Sequence, residues 1–140
     1  MKKILIVSAD YYKDISLGLL DSAKKNLPKN FKIKIIKVPG VFEIPITISK
    51  HQKRFDAFIA IGCVIKGQTP HFDYISKSSI DAIMNLAVNF KKPIGNGILT
   101  CLNMKQAKER KKKGAEAANA IVSVLSQKWK QCTALKITRE

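Results

Sequence analysis

Apolar positions along the chain follow two patterns, and the first of these predicts strands. Short apolar runs at residues 3–8, 57–61 and 94–100 are typical of parallel strands buried on both faces. Residues 31–38 alternate apolar and charged positions instead. That alternation predicts a strand with one solvated face, at the edge of a sheet.

The second pattern is the recurrence of apolar residues at helical spacing between these strands. Asp14 and Asn103 are candidate helix caps, because their side chains can accept hydrogen bonds from backbone N–H groups of a first turn. Gly114 is expected to break the helical pattern near the C-terminus. The predicted helical segments are residues 15–27, 44–51, 72–90, 104–112 and 115–130.

Strands that alternate with helices predict an α/β fold with a central four-stranded parallel sheet. Helices should cover both faces, which gives a three-layer sandwich. The third strand should break at Gly62, and the turns that follow the strands should gather at one edge of the sheet. Ligands of open α/β sheets bind at that edge.

The bulk properties predict one domain over residues 1–140, without a membrane span. Cys63, Cys101 and Cys132 have no paired spacing. We therefore expect reduced thiols in a cytoplasmic protein, with neither a disulfide frame nor a metal site.

The net charge of +16 raises the alternative of a nucleic-acid-binding protein. Most lysines are spread along the chain, and only residues 110–113 form a dense basic run. No aromatic-rich reading surface accompanies them. Nucleic acid is therefore not the expected partner, although the charge should favour anionic ligands.

The turn at residues 67–71, Gly-Gln-Thr-Pro-His, carries the strongest local signal for chemistry. Gly62 and Gly67 have the spacing of a phosphate-binding P-loop, but Gln68 replaces the lysine that this loop needs. A turn that binds one phosphate through N–H groups and the Thr69 hydroxyl is still expected. His71 follows it and can exchange protons near neutral pH.

Other polar and aromatic residues at strand ends have both a functional and a structural interpretation. Glu43 can bind ligand hydroxyls or favour a helix N-terminus. Tyr11 and Tyr12 can stack on a flat heterocycle or pack internally. Arg110 and Lys113 can bind an anion or belong to a solvated face. Cys63 lies in an apolar strand end, where inert burial is the simpler interpretation.

Four blocks together resemble the lumazine synthase family of riboflavin biosynthesis. They are Val-Pro-Gly-Val-Phe-Glu-Ile-Pro at 38–45, Gly-Cys-Val-Ile-Lys-Gly-Gln-Thr-Pro-His-Phe-Asp-Tyr at 62–74, Gly-Ile-Leu-Thr at 97–100 with Gln-Ala at 106–107, and Lys-Gly-Ala-Glu-Ala-Ala at 113–118. The resemblance covers nearly the whole chain. It implies a sheet with flavodoxin-like strand order.

The resemblance also implies a reaction. The family condenses 5-amino-6-(D-ribitylamino)uracil with 3,4-dihydroxy-2-butanone 4-phosphate to give 6,7-dimethyl-8-ribityllumazine, phosphate and water. This is the penultimate step of riboflavin biosynthesis, catalysed by a transferase that needs no metal and no organic cofactor.

By resemblance, one group of positions binds the pyrimidine and its ribityl chain. Tyr11 matches an aromatic residue that stacks on the ring and is usually Phe or Trp in the family. Asn96 stands where the family usually has an aromatic residue that closes the pocket from the neighbouring subunit. The other members of this group are Val41, Phe42, Glu43, Cys63, Val64 and Ile65.

A second group matches the family's phosphate and proton-transfer positions. Gln68 and Thr69 match the phosphate-binding turn, and His71 matches the proposed proton-transfer residue. Arg110 and Lys113 match the cations that hold the phosphate. Only two lysines separate Arg110 from Lys113 here, fewer residues than in the family pattern, so a neighbouring lysine is an alternative phosphate ligand.

The family assembles as homopentamers with active sites shared between adjacent subunits, and some members form a sixty-subunit shell. The short segment after Arg110 and its positive charge favour a free pentamer. Two alternatives to the synthase stay open at this point. One is a basic α/β protein that binds RNA or DNA, and the other is a family member that binds flavins or lumazines without efficient synthesis.

Overall fold

A computed structural model of the chain describes residues 1–128, and its strands form one parallel sheet. The strands are β1 (Lys3–Ala9), β2 (Lys32–Val38), β3 (Ala57–Ile65) and β4 (Ile94–Cys101). Their spatial order is β2-β1-β3-β4, and every neighbouring pair is parallel. The predicted α/β class and flavodoxin-like order are confirmed, with the half-polar β2 at one edge. The single domain over residues 1–140 stays a prediction.

Helices cover both faces of this sheet, as the alternation of elements predicted. Alternate residues of each strand point to opposite faces, so Ile4 and Ile6 enter one apolar cluster while Leu5 and Val7 enter the other. The helical elements are α1 (Lys13–Lys25), a 3₁₀ turn (Val41–Glu43), α2 (Ile44–Lys50), α3 (His71–Phe90), α4 (Met104–Glu109) and α5 (Lys113–Leu125). The first cluster includes α1, α4 and α5, and the second includes α2 and α3.

Strand β3 is longer than predicted, because Gly62 does not end it. Gly62 pairs with Ile98 of β4, and the strand continues to Ile65. A Cβ atom at position 62 would lie 2.7 Å from Cγ2 of Val41 and 3.1 Å from Cβ of Ala9. The glycine therefore reflects close packing beside the 3₁₀ turn, and the expected break was wrong.

The last two helices also differ from their predicted bounds. Helix α4 ends at Glu109, and α5 begins at Lys113, so Gly114 lies in the first turn of α5. A Cβ atom at Gly114 would lie 2.0 Å from the carbonyl oxygen of Leu19, so this glycine permits a close helix contact. Helix α5 ends at Leu125, whereas the prediction extended to 130; residues 129 and 130 lie outside the described residues.

The two predicted helix caps had different outcomes. Asn103 caps α4, because its Oδ1 atom accepts a hydrogen bond from the backbone N–H of Gln106 at 2.9 Å. Helix α1 begins one residue before Asp14 and has no side-chain cap, so Asp14 lies in its first turn. Within residues 1–128, no helix is long and apolar enough to cross a membrane.

Gly95 provides a stability test of the contact between β4 and α5. A Cβ atom at Gly95 would lie 2.4 Å from the carbonyl oxygen of Ala117, and a backbone atom cannot rotate away. We expect Gly95→Ala to lower the free energy of unfolding by about 1–3 kcal/mol, measured by thermal unfolding at fixed protein concentration. Gly67→Ala is the matched control, since its Cβ would meet nothing within 4 Å. Equal stability of the two variants would contradict the packing argument.

Candidate active site

The carboxyl ends of β1, β2 and β3 surround a cavity of about 620 Å³. This position follows from the parallel sheet, which turns all its strand ends toward the same edge. We call it the ring cavity. Its lining residues are Tyr11, Tyr12, Gly40, Val41, Phe42, Cys63, Val64, Ile65, Gly67, Thr69, His71, Phe72 and Ile75.

Two aromatic side chains stand exposed at the mouth of the ring cavity. Tyr11 is 76% exposed and Phe42 is 66% exposed, although both lie beside buried strand ends. Tyr11 is held edge-on against Tyr12, with ring centroids 4.9 Å apart. Such uncovered aromatic faces can bury the plane of a heterocycle at a small cost in side-chain entropy.

The turn that carries Tyr11 is held by hydrogen bonds to β2 and to α1. The N–H of Asp10 donates to the carbonyl of Val38 at 2.9 Å, which joins the ends of β1 and β2. The buried hydroxyl of Ser16, in the first turns of α1, donates to the carbonyl of Ala9. The backbone on both sides of Tyr11 is therefore anchored.

The end of β3 contributes Cys63, Val64 and Ile65 to the lining. Burial raises the pKa of the Cys63 thiol to about 12, and the neighbouring Cys101 thiol adds to the rise. Cys63 is therefore a neutral thiol near pH 7 and a poor nucleophile.

The turn before α3 places Thr69 and His71 in the same lining. No side chain caps this 20-residue helix, and among the described residues the N–H groups of His71 and Phe72 have no hydrogen-bond acceptor. Free N–H groups and the positive end of the helix dipole favour an anion here. Gln68 lies in the same turn, exposed and outside the cavity lining.

Glu43 ends the 3₁₀ turn and is partly buried. Its carboxylate folds back toward Gly40, and a Cβ atom at Gly40 would lie 3.3 Å from Oε1 of Glu43. Glu43 is not among the lining residues of the ring cavity, although Val41 and Phe42 are. The carboxylate therefore lies beside the cavity in this structure.

Asn96, Arg110 and Lys113 line a separate cavity of about 390 Å³, which we call the cation cavity. Oδ1 of Asn96 accepts a hydrogen bond from the N–H of Ile98 at 3.0 Å. Arg110 follows α4, whose start is held by Asn103 and by Oε1 of Gln106, which accepts from the N–H of Leu102 at 2.8 Å. The full lining is Ile80, Asn96, Ile98, Leu99, Thr100, Glu109, Arg110, Lys112, Lys113 and Glu116.

The ring cavity and the cation cavity share no lining residue. One chain therefore does not bring Arg110 and Lys113 into the same cavity as Thr69 and His71. The sequence-predicted site is divided into two parts within the described residues.

Comparison with known proteins identifies the family of this chain. Residues 1–128 match the family model of 6,7-dimethyl-8-ribityllumazine synthase. The chain belongs to this family. The predicted family is thereby confirmed, and with it the predicted enzyme class, a transferase of riboflavin biosynthesis that forms 6,7-dimethyl-8-ribityllumazine.

Similarity to individual lumazine synthases extends over most of the chain. The 6,7-dimethyl-8-ribityllumazine synthase of Cutibacterium acnes is 38% identical over 133 residues, which cover 89% of this chain and 80% of the relative. That of Agrobacterium fabrum is 41% identical over 140 residues, covering 91% and 95%. That of Rhodopseudomonas palustris is 40% identical over 136 residues, covering 88% and 83%.

Sequence reasoning did not single out every residue that lines the ring cavity. Gly40, Phe72 and Ile75 were not predicted as site residues. Gly67 was named only as part of the phosphate-binding turn, and Tyr12 was considered for both stacking and packing. Ile75 lies one helical turn after His71, so helical spacing was a usable signal for it. Within residues 1–128, no group of three metal-binding side chains is close enough to hold an ion.

The raised pKa of Cys63 predicts a low thiol reactivity. We expect iodoacetamide at pH 8 to modify Cys63 far more slowly in the native protein than in urea, because only the thiolate reacts. Site-resolved mass spectrometry measures both rates on the same peptide. Equal rates in the two states would show that the thiol is not protected.

The raised pKa of Cys63 also predicts a pH dependence of stability. Because the thiol ionises at a lower pH in the unfolded chain than in the folded one, the free energy of unfolding should fall as pH rises from about 9 toward 12.

Proposed function

We propose that this chain condenses 5-amino-6-(D-ribitylamino)uracil with 3,4-dihydroxy-2-butanone 4-phosphate at a site completed by a neighbouring subunit. Family membership supports the reaction. The division of the site residues between two cavities supports the shared site, and it is the observation that carries this proposal.

The ring cavity takes the pyrimidine and its ribityl chain. Tyr11 stacks on the ring, and Phe42 covers the open side, because both faces are exposed at the mouth. The backbone at Cys63, Val64 and Ile65 forms hydrogen bonds with the polar edge of the pyrimidine. Val41 packs beside the ribityl chain, and Glu43 turns from Gly40 to accept hydrogen bonds from its hydroxyls.

The phosphate lies between the two subunits. The N-terminus of α3 and the Thr69 hydroxyl hold it from one side, with Gln68 turning inward from its exposed position. Arg110 and Lys113 of the adjacent subunit hold it from the other side through charge-assisted hydrogen bonds. Asn96 of that subunit closes the pocket where the family usually has an aromatic residue.

The chemistry then follows from placing the two substrates together, which removes much of the entropic barrier. The amine of the pyrimidine attacks the ketone and loses water to form an imine. Phosphate leaves, and ring closure with loss of a second water completes the lumazine. His71, at the start of α3, transfers protons in these steps. No metal or organic cofactor takes part.

A cyclic homopentamer is compatible with the shared site. Each heterologous interface joins the ring cavity of one subunit to the cation cavity of the next, and five such interfaces close a ring. The short linker after Arg110 and the charge of +16 favour a free pentamer over a sixty-subunit shell. The free thiols Cys63 and Cys101 fit a cytoplasmic location.

Steady-state formation of the lumazine, followed by its absorbance and green fluorescence, tests this function. We expect enzyme-dependent turnover above the uncatalysed condensation. His71→Ala should lower that turnover by up to about 10²–10⁴-fold while leaving substrate binding largely intact, because only proton transfer is lost.

His51→Ala is the matched control. His51 is the other histidine of the chain, and its ring bonds to the carbonyl of Thr47 at the end of α2, away from the cavity lining. This variant should keep wild-type turnover. Wild-type turnover of His71→Ala would remove His71 from the mechanism, and binding without any turnover of the wild type would favour a ligand-binding protein.

A further inference from the structure

The N-terminus of α5 has no cap from its own flanking residues. Lys112 occupies the capping position and makes no capping hydrogen bond with its side chain. Instead, the N–H of Ala115, in the first turn, donates to the hydroxyl of Ser22 at 2.9 Å. Ser22 lies on α1, 93 residues away in the sequence. Because the cap comes from another helix, it fixes the position of the first turn of α5 relative to α1 as well as satisfying its N–H group.

Two neighbouring contacts anchor the same segment to α1. The backbone of Gly114 approaches α1 so closely that a Cβ atom there would lie 2.0 Å from the carbonyl oxygen of Leu19. The methylene stem of Lys111 covers Gly18, where a Cβ atom would lie 2.8 Å from Cδ of that lysine. Residues on both sides of Lys113 are therefore held by one face of α1.

The linker between α4 and α5 is too short to move independently of these contacts. Only two residues separate Arg110 from Lys113, and the N–H of Lys113 donates back to the carbonyl of Arg110 at 3.1 Å. The next N–H, of Gly114, donates to the carbonyl of Lys111 at 3.3 Å. The orientation of Arg110 relative to Lys113 is thus set by a tight turn that α1 holds in place.

We propose that Ser22 is a positioning residue that holds the start of α5 so that Arg110 and Lys113 face the phosphate together. This inference rests on the proposed role of these two cations in the shared site. Binding an anion orders both the side chains that hold it and the backbone that carries them, and a backbone fixed beforehand removes its own share of that entropy loss. Ser22 itself contacts neither substrate.

Inorganic phosphate, a product of the reaction, is the probe for this proposal. We expect Ser22→Ala to weaken inhibition by inorganic phosphate, and to raise KM for the phosphorylated ketone, by about three- to tenfold, the range expected for one lost hydrogen bond. KM for the pyrimidine should stay unchanged, since the ring cavity lies elsewhere. The variant should fold, because alanine is a better helix former than serine.

Two further variants separate positioning from general damage to α5. Ser22→Thr keeps the hydroxyl and should restore wild-type phosphate inhibition. Ser126→Ala removes a hydroxyl at the other end of α5, where Ser126 donates to the carbonyl of Val122 at 2.7 Å, and should leave phosphate inhibition unchanged. An equal rise in both KM values for Ser22→Ala would show a merely structural role and overturn the proposal.

Arg110→Ala distinguishes failure of this inference from failure of the phosphate site itself. If Arg110→Ala weakens phosphate inhibition and Ser22→Ala does not, the cations bind phosphate without help from Ser22. If neither variant changes phosphate inhibition, the assignment of Arg110 is wrong, and the positioning role falls with it.

Discussion

The parallel alignment of the four strands is the constraint on which the rest of this structure depends. It turns the carboxyl ends of all four strands in the same direction, so the turns after β1, β2 and β3 meet at one end of the sheet. Apolar residues on both faces of β3 bury this strand between β1 and β4. The ring cavity is therefore a consequence of the core, and its shape depends on the packing beneath it.

The same constraint explains why the predicted site residues lie in two cavities. Strand β4 is the outermost strand on the side of the sheet opposite β2, and the elements that follow it build the cation cavity beside that strand. Thus Tyr11, Thr69 and His71 line one cavity, whereas Arg110 and Lys113 line another cavity of the same chain. In the proposed assembly, a heterologous interface brings the two cavities of adjacent subunits together. On this proposal, catalysis requires assembly, because one chain does not bring these two groups of residues into the same cavity.

Hydrophobic periodicity predicted the class of fold, the edge position of β2 and the cap at Asn103, because each of these depends on local sequence. It failed at Gly62 and Gly114, where the glycines serve contacts with residues distant in the sequence. Composition and spacing placed His71 and Thr69 in one turn, but they do not show how far Arg110 lies from that turn. The capping of α5 by Ser22 was not predictable, since 93 residues separate the partners.

A mixed-oligomer experiment tests the shared site most directly. His71→Ala damages the ring cavity and Arg110→Ala damages the cation cavity, so each homo-oligomer should be weakly active. When the two variants are unfolded together in equal amounts and refolded, about a quarter of the sites should receive both intact cavities, and activity should return to about that fraction of the wild type. Activity no higher than the average of the two separate variants, in particles shown to be mixed, would contradict a site built by two subunits.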